Sequence, residues 1–344
     1  MSGPVPEQMR AVLTVGHGGL DQLVLKTDYP VPKPGPEEVL LRVAATAVNF
    51  HDVFTRRGMP GIKLPLPVVV GSDFAGEVVA RGSAVETADI GDRVLVDPVD
   101  FSTGKPCMYG EVLDGGRAEY VAVKAALCIP VPDTVSLEQA AALPLAYGTA
   151  YRMLFTQGGV AAGDRVLVLG ASGGVGAACV QLAGAVGAEV IACASTDEKL
   201  ARLGDAGATH LVNYREEPFL DAVRRIYGKP RVAGGGGVSV AINFTGGDTL
   251  PDTQRCVEKG GRILCCGATA GFDLALDARY WWTYEHRMIG SNGWTRQDLL
   301  DLLGMIAEGQ LDPLIDSTLP LEHAADAEAR LEDRRVVGKL LLRP

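Results

Sequence analysis

The N-terminal part of the chain, up to about residue 130, consists of short apolar runs between Pro, Gly and Asp residues. Runs of this length between turn residues are typical of β-strands. The strands predicted in this way are Glu38–Val48, Val68–Val79, Arg93–Val96 and Ala118–Val123. The clusters Pro30–Pro36 and Pro60–Pro67 indicate loops or edges, because proline cannot donate to a strand ladder. We expect a compact, partly open barrel with long loops.

From Asp164 onward, strand-like and helix-like patterns alternate. A strand at Arg165–Leu169 precedes one helical run, and a strand at Glu189–Ala194 precedes another. Gly187 and Gly207 follow the two helical runs, where a left-handed cap residue belongs. This alternation predicts a parallel sheet covered on both faces. The further predicted elements are a helix from Ser136 through Phe155, strands at His210–Tyr214, Val238–Asn243 and Arg262–Cys266, helices at Thr295–Glu308 and Leu321–Asp333, and a last strand at Val336–Leu342.

Composition narrows the class of protein. A chain of 344 residues suggests two domains at about 150 residues each. The formal net charge of −10 argues against a nucleic-acid partner, which requires a basic surface. The 43 glycines in a chain that is 47% hydrophobic indicate tight turns and close backbone approaches around a large core. We therefore expect an α/β protein of two domains.

Cysteine usage and the apolar segments bear on the compartment. The seven cysteines form no C-x-x-C pair and lie mostly in apolar runs, which favours reduced thiols in the cytoplasm. No signal peptide is expected at the N-terminus. Val166–Ala188 carries no charge and is long enough to span a bilayer. Its central glycines and its division into a strand and a helix argue against this, so we expect no membrane partner.

The strongest chemical signal is Gly170-Ala-Ser-Gly-Gly-Val-Gly176, between a predicted strand and a predicted helix. Glycines let the backbone approach a dinucleotide diphosphate, and the helix N-terminus offers unpaired N–H groups. The alternative is a tight turn that only holds the helix against the strand. The surrounding strands and helix favour the dinucleotide site. The turn residues expected to bind the cofactor are Ser172, Gly173, Gly174 and Val175.

The end of the second strand bears on the choice of cofactor. An NAD site usually places a carboxylate there to bind the adenosine ribose. This chain has Ala194, followed by Ser195 and then Lys199, which together can bind a 2′-phosphate. The sequence therefore predicts NADPH. In the alternative interpretation Ser195 and Glu198 form a capping box and Lys199 is a solvated surface residue.

Several motifs occur in a characteristic order along the chain. They are Gly71-Ser-Asp-Phe-Ala-Gly76, Gly91-Asp-Arg-Val94, Gly148-Thr-Ala150, the Gly170–Gly176 turn, Asn213-Tyr214 and Gly338-Lys339. In this combination the sequence resembles the medium-chain dehydrogenase/reductase superfamily over nearly its whole length. Within the superfamily it is most similar to the zinc-free quinone oxidoreductase and enoyl reductase branch.

This resemblance implies a definite architecture. It implies a GroES-like catalytic domain made of residues 1–130 and 285–344, and a Rossmann NADPH-binding domain with a doubly wound parallel sheet over residues 131–284. It places the active site in the cleft between the two domains. It also implies a homodimer that joins the edge strands of two Rossmann domains, with Phe272–Asn292 as the edge segment.

The resemblance also addresses metal binding. In zinc alcohol dehydrogenases of the superfamily, a Cys, a His and a later Cys hold the catalytic zinc. The matching positions here are Asn49, Ser72 and Leu145, which are poor zinc ligands or none. The stretch that matches the structural-zinc lobe, Asp97–Gly116, contains only Cys107. We therefore expect no bound metal.

Without a Lewis acid, hydride transfer favours an electron-poor carbon conjugated to a carbonyl, as in an enone, an enoyl thioester or a quinone. The resemblance places Asn49 near the nicotinamide and the acceptor. Related enoyl reductases often have a Tyr donor where this chain has Met59, so His51 becomes the nearest alternative proton donor. His51 could equally fix the loop backbone. Tyr147 is a further catalytic candidate, with core packing as its alternative.

The resemblance implies further cofactor contacts in the second half of the chain. They are Thr149 near the nicotinamide, Tyr214 near the adenosine phosphate, Thr245, Gly267 and Ala268 at strand ends, Asn292, and Lys339 near the chain's end. The predicted function is reduction of a conjugated carbonyl or quinone. A zinc-type alcohol dehydrogenase or ketone reductase, and an NADPH-binding protein without turnover, remain the alternatives.

Overall fold

The computed structural model describes residues 4–59 and 64–344. Residues 60–63, which begin the loop expected at Pro60–Pro67, lie outside the described residues. Tertiary contacts divide the chain into two compact units, Met1–Leu145 with Leu299–Pro344, and Ala146–Asp298. We call them the split unit and the central unit. Their boundaries follow residues 145 and 298, whereas the sequence placed them after residues 130 and 284.

The strands and helices are as follows. The strands are β1 Gln8–Thr14, β2 Leu23–Pro30, β3 Glu38–Val48, β4 Val68–Val69, β5 Asp73–Arg81, β6 Arg93–Val96, β7 Val99–Asp100, β8 Cys107–Met108, β9 Tyr120–Lys124, β10 Cys128–Pro130, β11 Arg165–Val168, β12 Glu189–Ala194, β13 His210–Asn213, β14 Val238–Ile242, β15 Val257–Cys265, β16 Arg287–Gly290, β17 Ile315–Pro320 and β18 Lys339–Arg343. The α-helices are α1 Phe50–Arg57, α2 Leu137–Ala141, α3 Thr149–Tyr151, α4 Gly174–Ala185, α5 Asp197–Asp205, α6 Phe219–Tyr227, α7 Leu250–Cys256, α8 Ala278–Thr283, α9 Arg296–Ala307 and α10 Ala324–Glu332.

The main sheet of the split unit is built around β3. Its strand order is β10-β6-β5-β3-β18-β17, and β9 pairs with the first half of β3. Strand β18 pairs antiparallel with β3 and parallel with β17, so the two ends of the chain meet in one sheet. Because β3 has neighbours along both edges, most of its residues are buried. Helix α2 packs on β3, β5 and β6 and therefore belongs to this unit.

A cluster of buried charges joins three distant segments of the split unit. The Arg117 guanidinium donates to Asp52 Oδ2 at 2.8 Å and to Glu328 Oε1 at 2.5 Å. Arg56 Nε donates to Glu328 Oε2 at 2.7 Å, and Arg56 also pairs with Glu332. Burial alone lowers the pKa of Arg117, but the charges of Asp52 and Glu328 outweigh it and raise that pKa. Buried charges need such partners, so these pairs fix α1 and α10 relative to the loop before β9.

The central unit is a parallel sheet of order β13-β12-β11-β14-β15-β16. Strands β12 and β13 lie on one side of β11. Strands β14, β15 and β16 lie on its other side. The strand order therefore reverses between β11 and β14, which is where ligands bind in doubly wound folds. The predicted α/β class, with a GroES-like unit and a doubly wound parallel sheet, is confirmed.

Local sequence signals are accurate in the central unit. Strand β12 has the predicted bounds. Gly187 and Gly207 follow α4 and α5 with φ of 83° and 109°, the left-handed values expected of cap residues. The apolar stretch from residue 166 to 188 divides into β11 and α4 as expected. No helix among the described residues is long and apolar enough to cross a membrane.

The segment after Ser136 departs from the predicted single helix. Ser136 does begin α2, with a capping box to Gln139, but α2 ends at Ala141. Two π-helical segments, Leu143–Gly148 and Arg152–Gln157, then flank the short α3. Pro144 has no N–H to donate and disfavours a regular α-helix at this place.

Candidate functional site

The glycine-rich turn of the central unit links β11 to α4. Gly170 has φ of 65°, and Gly173 is the N-cap residue of α4 with no side-chain hydrogen bond. A Cβ at Gly176 would lie 2.4 Å from the Gly170 carbonyl oxygen, so only glycine lets the helix pack this closely on the turn. Ser172, Gly173, Gly174 and Val175, the predicted contacts, are all partly exposed. Amides of the first helical turn without a side-chain cap fit a dinucleotide diphosphate.

The loop after β14 lies beside this turn. A Cβ at Gly170 would be 3.3 Å from Phe244 Cε2 and 3.7 Å from Thr245 Oγ1. The buried Asn243 shapes this loop, since its Oδ1 accepts from the amides of Thr245 at 3.1 Å and Gly246 at 3.0 Å. Sequence reasoning missed Asn243, although a polar residue at the end of a buried strand is a recognisable signal. The structure therefore brings Thr245 close to the glycine turn.

The next two strand ends complete this edge of the sheet. The loop after β15 is tied to the loop after β14 by the amide of Ala270, which donates to the Thr245 carbonyl at 2.7 Å. A Cβ at Gly246 would lie 3.0 Å from Ala268 Cβ, and Gly267 is exposed. Asn292 is exposed two residues beyond β16. Gly267, Ala268 and Asn292 thus lie at the carboxyl ends of neighbouring strands.

The residues predicted to bind the adenosine end of the cofactor lie after the ends of β12 and β13. Ala194 ends β12, and its carbonyl accepts from the amide of Tyr214, which is 45% exposed and follows β13. The N-cap of α5 is Thr196, whose Oγ1 accepts from the Lys199 amide at 3.4 Å. The alternative capping box of Ser195 and Glu198 is therefore wrong, because Ser195 precedes the cap position. Ser195 and Lys199 are both partly exposed.

Arg215 is a cation that sequence reasoning overlooked at this end. It is exposed, follows Tyr214 directly, and its amide donates to Asn213 Oδ1 at 3.2 Å. Among the described residues it has no carboxylate within ion-pair distance, unlike Arg225, which pairs with Glu217 at 2.7 Å. The signal that could have found it is its position at the end of the strand next to β12.

The catalytic role expected for Tyr147 has to be withdrawn. Its side chain is fully buried, and its hydroxyl donates to Gln181 Oε1 on α4 at 2.5 Å. A phenol held in this way is part of the core of the central unit, and its O–H is not available to a substrate. Thr149, two residues later, begins α3 and is partly exposed.

In the split unit, Asn49, Asp73 and Lys339 form a buried polar cluster. Lys339 Nζ donates to Asn49 Oδ1 at 2.5 Å and to Asp73 Oδ2 at 3.1 Å, and Asn49 Nδ2 donates to Asp73 Oδ2 at 2.9 Å. Strand register explains the meeting, since Val48 is opposite Leu340 and Ala47 is opposite Asp73. Lys339 is 2% exposed and committed to these partners, so its expected contact with the cofactor has to be withdrawn.

The positions that match zinc ligands surround the same carboxylate. The Leu145 amide donates to Asp73 Oδ1 at 2.9 Å, and Ser72 is the residue before Asp73. The Ser72 hydroxyl is buried without a hydrogen-bond partner among the described residues. No group of three or more His, Cys, Asp or Glu side chains with metal-binding geometry occurs within residues 4–59 and 64–344. An amide, a hydroxyl and an alkyl side chain beside an ammonium do not fit zinc.

Comparison with known proteins agrees with this geometry. The family model for the alcohol dehydrogenase GroES-like domain matches residues 35–133, and that for zinc-binding dehydrogenases matches residues 174–308. The quinone oxidoreductase of Rattus norvegicus is 32% identical over 341 residues, which are 97% of each chain. The chain belongs to the medium-chain dehydrogenase/reductase superfamily.

Solved structures similar to the chain include two oxidoreductases that are described with a nicotinamide cofactor. An NAD-dependent alcohol dehydrogenase has a TM-score of 0.89 and 36% identity, covering 98% of this chain and 100% of its own. A crotonyl-CoA carboxylase/reductase in complex with NADP has a TM-score of 0.85 and 25% identity, covering 99% and 96%. The protein is an oxidoreductase of this superfamily.

His51 offers a titratable group to such an enzyme. It lies in the first turn of α1, and its Nε2 is 2.9 Å from Glu111 Oε2. Burial by itself lowers the pKa of His51, but the hydrogen bond to Glu111 and the charges of Asp52, Glu111 and Asp73 raise it above its ordinary value. Glu111 had no role in the sequence analysis, since it is 60 residues away in the chain. The contacts of His51 with these carboxylates therefore favour its protonated form.

Replacing Glu111 tests this interaction. Because the folded pKa of His51 is raised, the pair stabilises the fold below the unfolded pKa of about 6.5 and this contribution disappears as pH rises through the folded pKa. Glu111→Gln is expected to lower the pKa of His51 in an NMR titration. Urea unfolding is expected to show a loss of about 1 kcal/mol near pH 6 that vanishes in alkaline solution. Asp326→Asn, at the exposed His323 pair, is the control; equal pKa values of His51 in both proteins would contradict the assignment.

Proposed function

We propose that the protein is a zinc-independent, NADPH-dependent reductase of conjugated carbonyls or quinones. The observation that carries the proposal is the buried cluster of Asn49, Asp73 and Lys339, because Asn49 is one of the positions that match zinc ligands and its side-chain oxygen is bound by the Lys339 ammonium. Without a Lewis acid, an unactivated ketone is a poor acceptor of hydride. An enone, an enoyl thioester or a quinone accepts hydride because the negative charge moves onto its own oxygen.

The residues divide the work between the two units. A bound reduced nicotinamide supplies a hydride ion, and the acceptor also needs one proton for the balance. The turn from Gly170 to Gly176 and Thr245 bind and orient the cofactor. We assign Asn49 to the acceptor's oxygen. His51 Nε2 lies 2.9 Å from Glu111 Oε2, a contact that favours a proton on His51. His51 is the group that we assign to proton delivery.

NADPH is favoured over NADH by the residues at the end of β12. Ala194 offers no carboxylate to the ribose hydroxyls, whereas Ser195, Lys199 and Tyr214 surround the expected position of a 2′-phosphate. Arg215 adds a second cation there. The relatives include both an NAD-dependent and an NADP-bound protein, so the family alone does not set this preference.

The function is tested with NADPH and a panel of acceptors. Conjugated enones, enoyl thioesters and quinones are expected to be reduced, and saturated ketones of similar size to be left unchanged. Treatment with a chelator is expected to leave the rate unchanged, and elemental analysis to find no stoichiometric zinc. Faster reduction of saturated ketones, or activity lost with the metal, would overturn the proposal. Tight NADPH binding with no turnover of any acceptor would indicate instead that the protein binds the cofactor without catalysing a reaction.

The cofactor preference rests on a charge-assisted contact to the 2′-phosphate. Such a bond contributes about 1.5–3 kcal/mol, so Lys199→Ala is expected to weaken NADPH binding about ten- to a hundredfold and to leave NADH binding nearly unchanged. Calorimetry measures both dissociation constants. Lys229→Ala is the control, since this exposed residue precedes β14 at the other end of the strand. Equal effects on both cofactors would remove Lys199 from the 2′-phosphate site.

We also propose a homodimer assembled through β16. This strand pairs only with β15 among the described residues, and its Met288 is 41% exposed. Trp282 and Leu274, before it in the chain, are 67% and 43% exposed. Unpaired strand edges with apolar side chains favour pairing with a second chain.

Light scattering at micromolar concentration is expected to give twice the chain mass. Met288→Asp is expected to give the monomer, because a buried interface carboxylate without a partner is unfavourable. Leu211→Asp, at a residue 43% exposed on the opposite edge strand β13, serves as the control and should keep the dimer. A monomeric wild type would refute the proposal.

A further inference from the structure

We propose that the Asn49 carboxamide donates a hydrogen bond to the acceptor's carbonyl oxygen, and that Lys339 polarises this carboxamide in place of a metal ion. The inference rests on the proposed function, since it names the group that receives the charge of the reduced acceptor. In this assignment Asn49 is the catalytic residue, and Asp73 and Lys339 are positioning residues that act through it.

The cluster permits only one orientation of the carboxamide. The Lys339 ammonium is a donor only, so the atom 2.5 Å from it must be the carboxamide oxygen of Asn49. The Asp73 carboxylate is an acceptor, so the carboxamide nitrogen faces it at 2.9 Å. A flipped amide would place two donors together and two acceptors together. The orientation of Asn49 is therefore determined by charge.

Asp73 is itself held in place. Its Oδ2 accepts from Asn49 Nδ2 and Lys339 Nζ, and its Oδ1 accepts from the Leu145 amide at 2.9 Å. The side chain is fully buried. The carboxylate cannot turn without giving up one of these bonds, so it fixes the direction of the Asn49 nitrogen.

One N–H of Asn49 remains for a ligand. A carboxamide nitrogen carries two hydrogens, and Nδ2 has a single acceptor, Asp73, among the described residues. Asn49 is the one member of the cluster that retains appreciable exposure, 8% against 0% for Asp73 and 2% for Lys339. This second N–H is therefore the donor that we assign to the acceptor.

The ammonium makes that N–H a better donor. A hydrogen bond to the carbonyl oxygen of an amide withdraws electrons from its nitrogen and strengthens the bond that the nitrogen donates. The effect is largest where charge develops. When hydride adds to the carbon β to the carbonyl, the π electrons of the C=C bond move to make an enolate, and the carbonyl oxygen becomes negative. A proton from solvent or His51 then completes the product, and Asn49 keeps its own hydrogens throughout.

Kinetics of Asn49→Ser test the catalytic part. Serine is also a good N-cap residue, so α1 is retained while the N–H donor is lost. Loss of a donor to a developing oxyanion is expected to lower kcat about 100-fold. KM for the acceptor and Kd for NADPH are expected to change less than about threefold, because the bond forms mainly in the transition state. An unchanged kcat would overturn the inference.

The role of Lys339 needs variants that leave no buried charge unpaired. The double variant Asp73→Asn with Lys339→Met replaces both charged side chains by uncharged ones. It is expected to lower kcat about tenfold, since charge-assisted bonds are roughly twice as strong as neutral ones. The single variant Lys339→Arg keeps the cation and is expected to retain most of the wild-type kcat. Arg330→Met breaks the ion pair with Asp316 in the same unit at 2.8 Å and is the control for general destabilisation, with kcat unchanged.

A probe that does not turn over separates this inference from the proposed function. 4-Nitrophenol ionises to a planar oxyanion whose absorbance differs from that of the phenol. With oxidised cofactor present, the wild type is expected to bind the phenolate form preferentially and to lower its apparent pKa. Asn49→Ser is expected to lose this preference. If the wild type reduces conjugated acceptors while neither kcat nor the probe depends on Asn49, the function stands and the inference falls. If no conjugated acceptor is reduced, the proposed function falls first.

Discussion

The Arg117 guanidinium is the interaction on which the geometry of the split unit depends. It is fully buried and holds Asp52 of α1 and Glu328 of α10 at the same time. Asp52 Oδ2 also accepts from the Asn49 amide at 2.8 Å, so the backbone at the start of α1 is held through Asp52 by Arg117. His51 lies between Asn49 and Asp52 in the chain. A chain that lost Arg117 would leave Asp52 buried without its counter-charge and Glu328 with Arg56 alone, which would weaken the hold on the start of α1.

Two separate sets of buried charges therefore hold Asn49 in place. One fixes the backbone at Asn49, and the other, made of Asp73 and Lys339, fixes its side chain. Apolar residues of the same volume commonly give equal or greater stability than a buried ion pair. Apolar residues cannot, however, fix the direction in which a polar group points. In the central unit, the direction of the polar groups is fixed by the backbone at the glycines. The Asn243 side chain holds the loop after β14.

Sequence reasoning succeeded where local patterns decide the structure and failed where distant residues meet. The bounds of β12, the glycine turn and the cap positions Gly187 and Gly207 follow from neighbours along the chain. Tyr147 was misplaced because the π-helical turns that carry its hydroxyl to Gln181 leave no periodic signal. Lys339 was assigned to the cofactor from the resemblance, and no local pattern indicated its actual partners, which lie 290 and 266 residues away. Arg117, whose partners are 65 and 211 residues distant, could not be recognised at all.

The division of the chain into units has a consequence for the order in which the protein forms during translation. Residues 146–298 are continuous and are translated before residues 299–344. Domains fold as they emerge, so the unit with the glycine turn can form early. The main sheet of the split unit remains open until β18 arrives to pair with β3. A nascent chain thus holds Asp73 without the cation that balances it until Lys339 has been translated, and the split unit is completed only by a segment that follows the central unit.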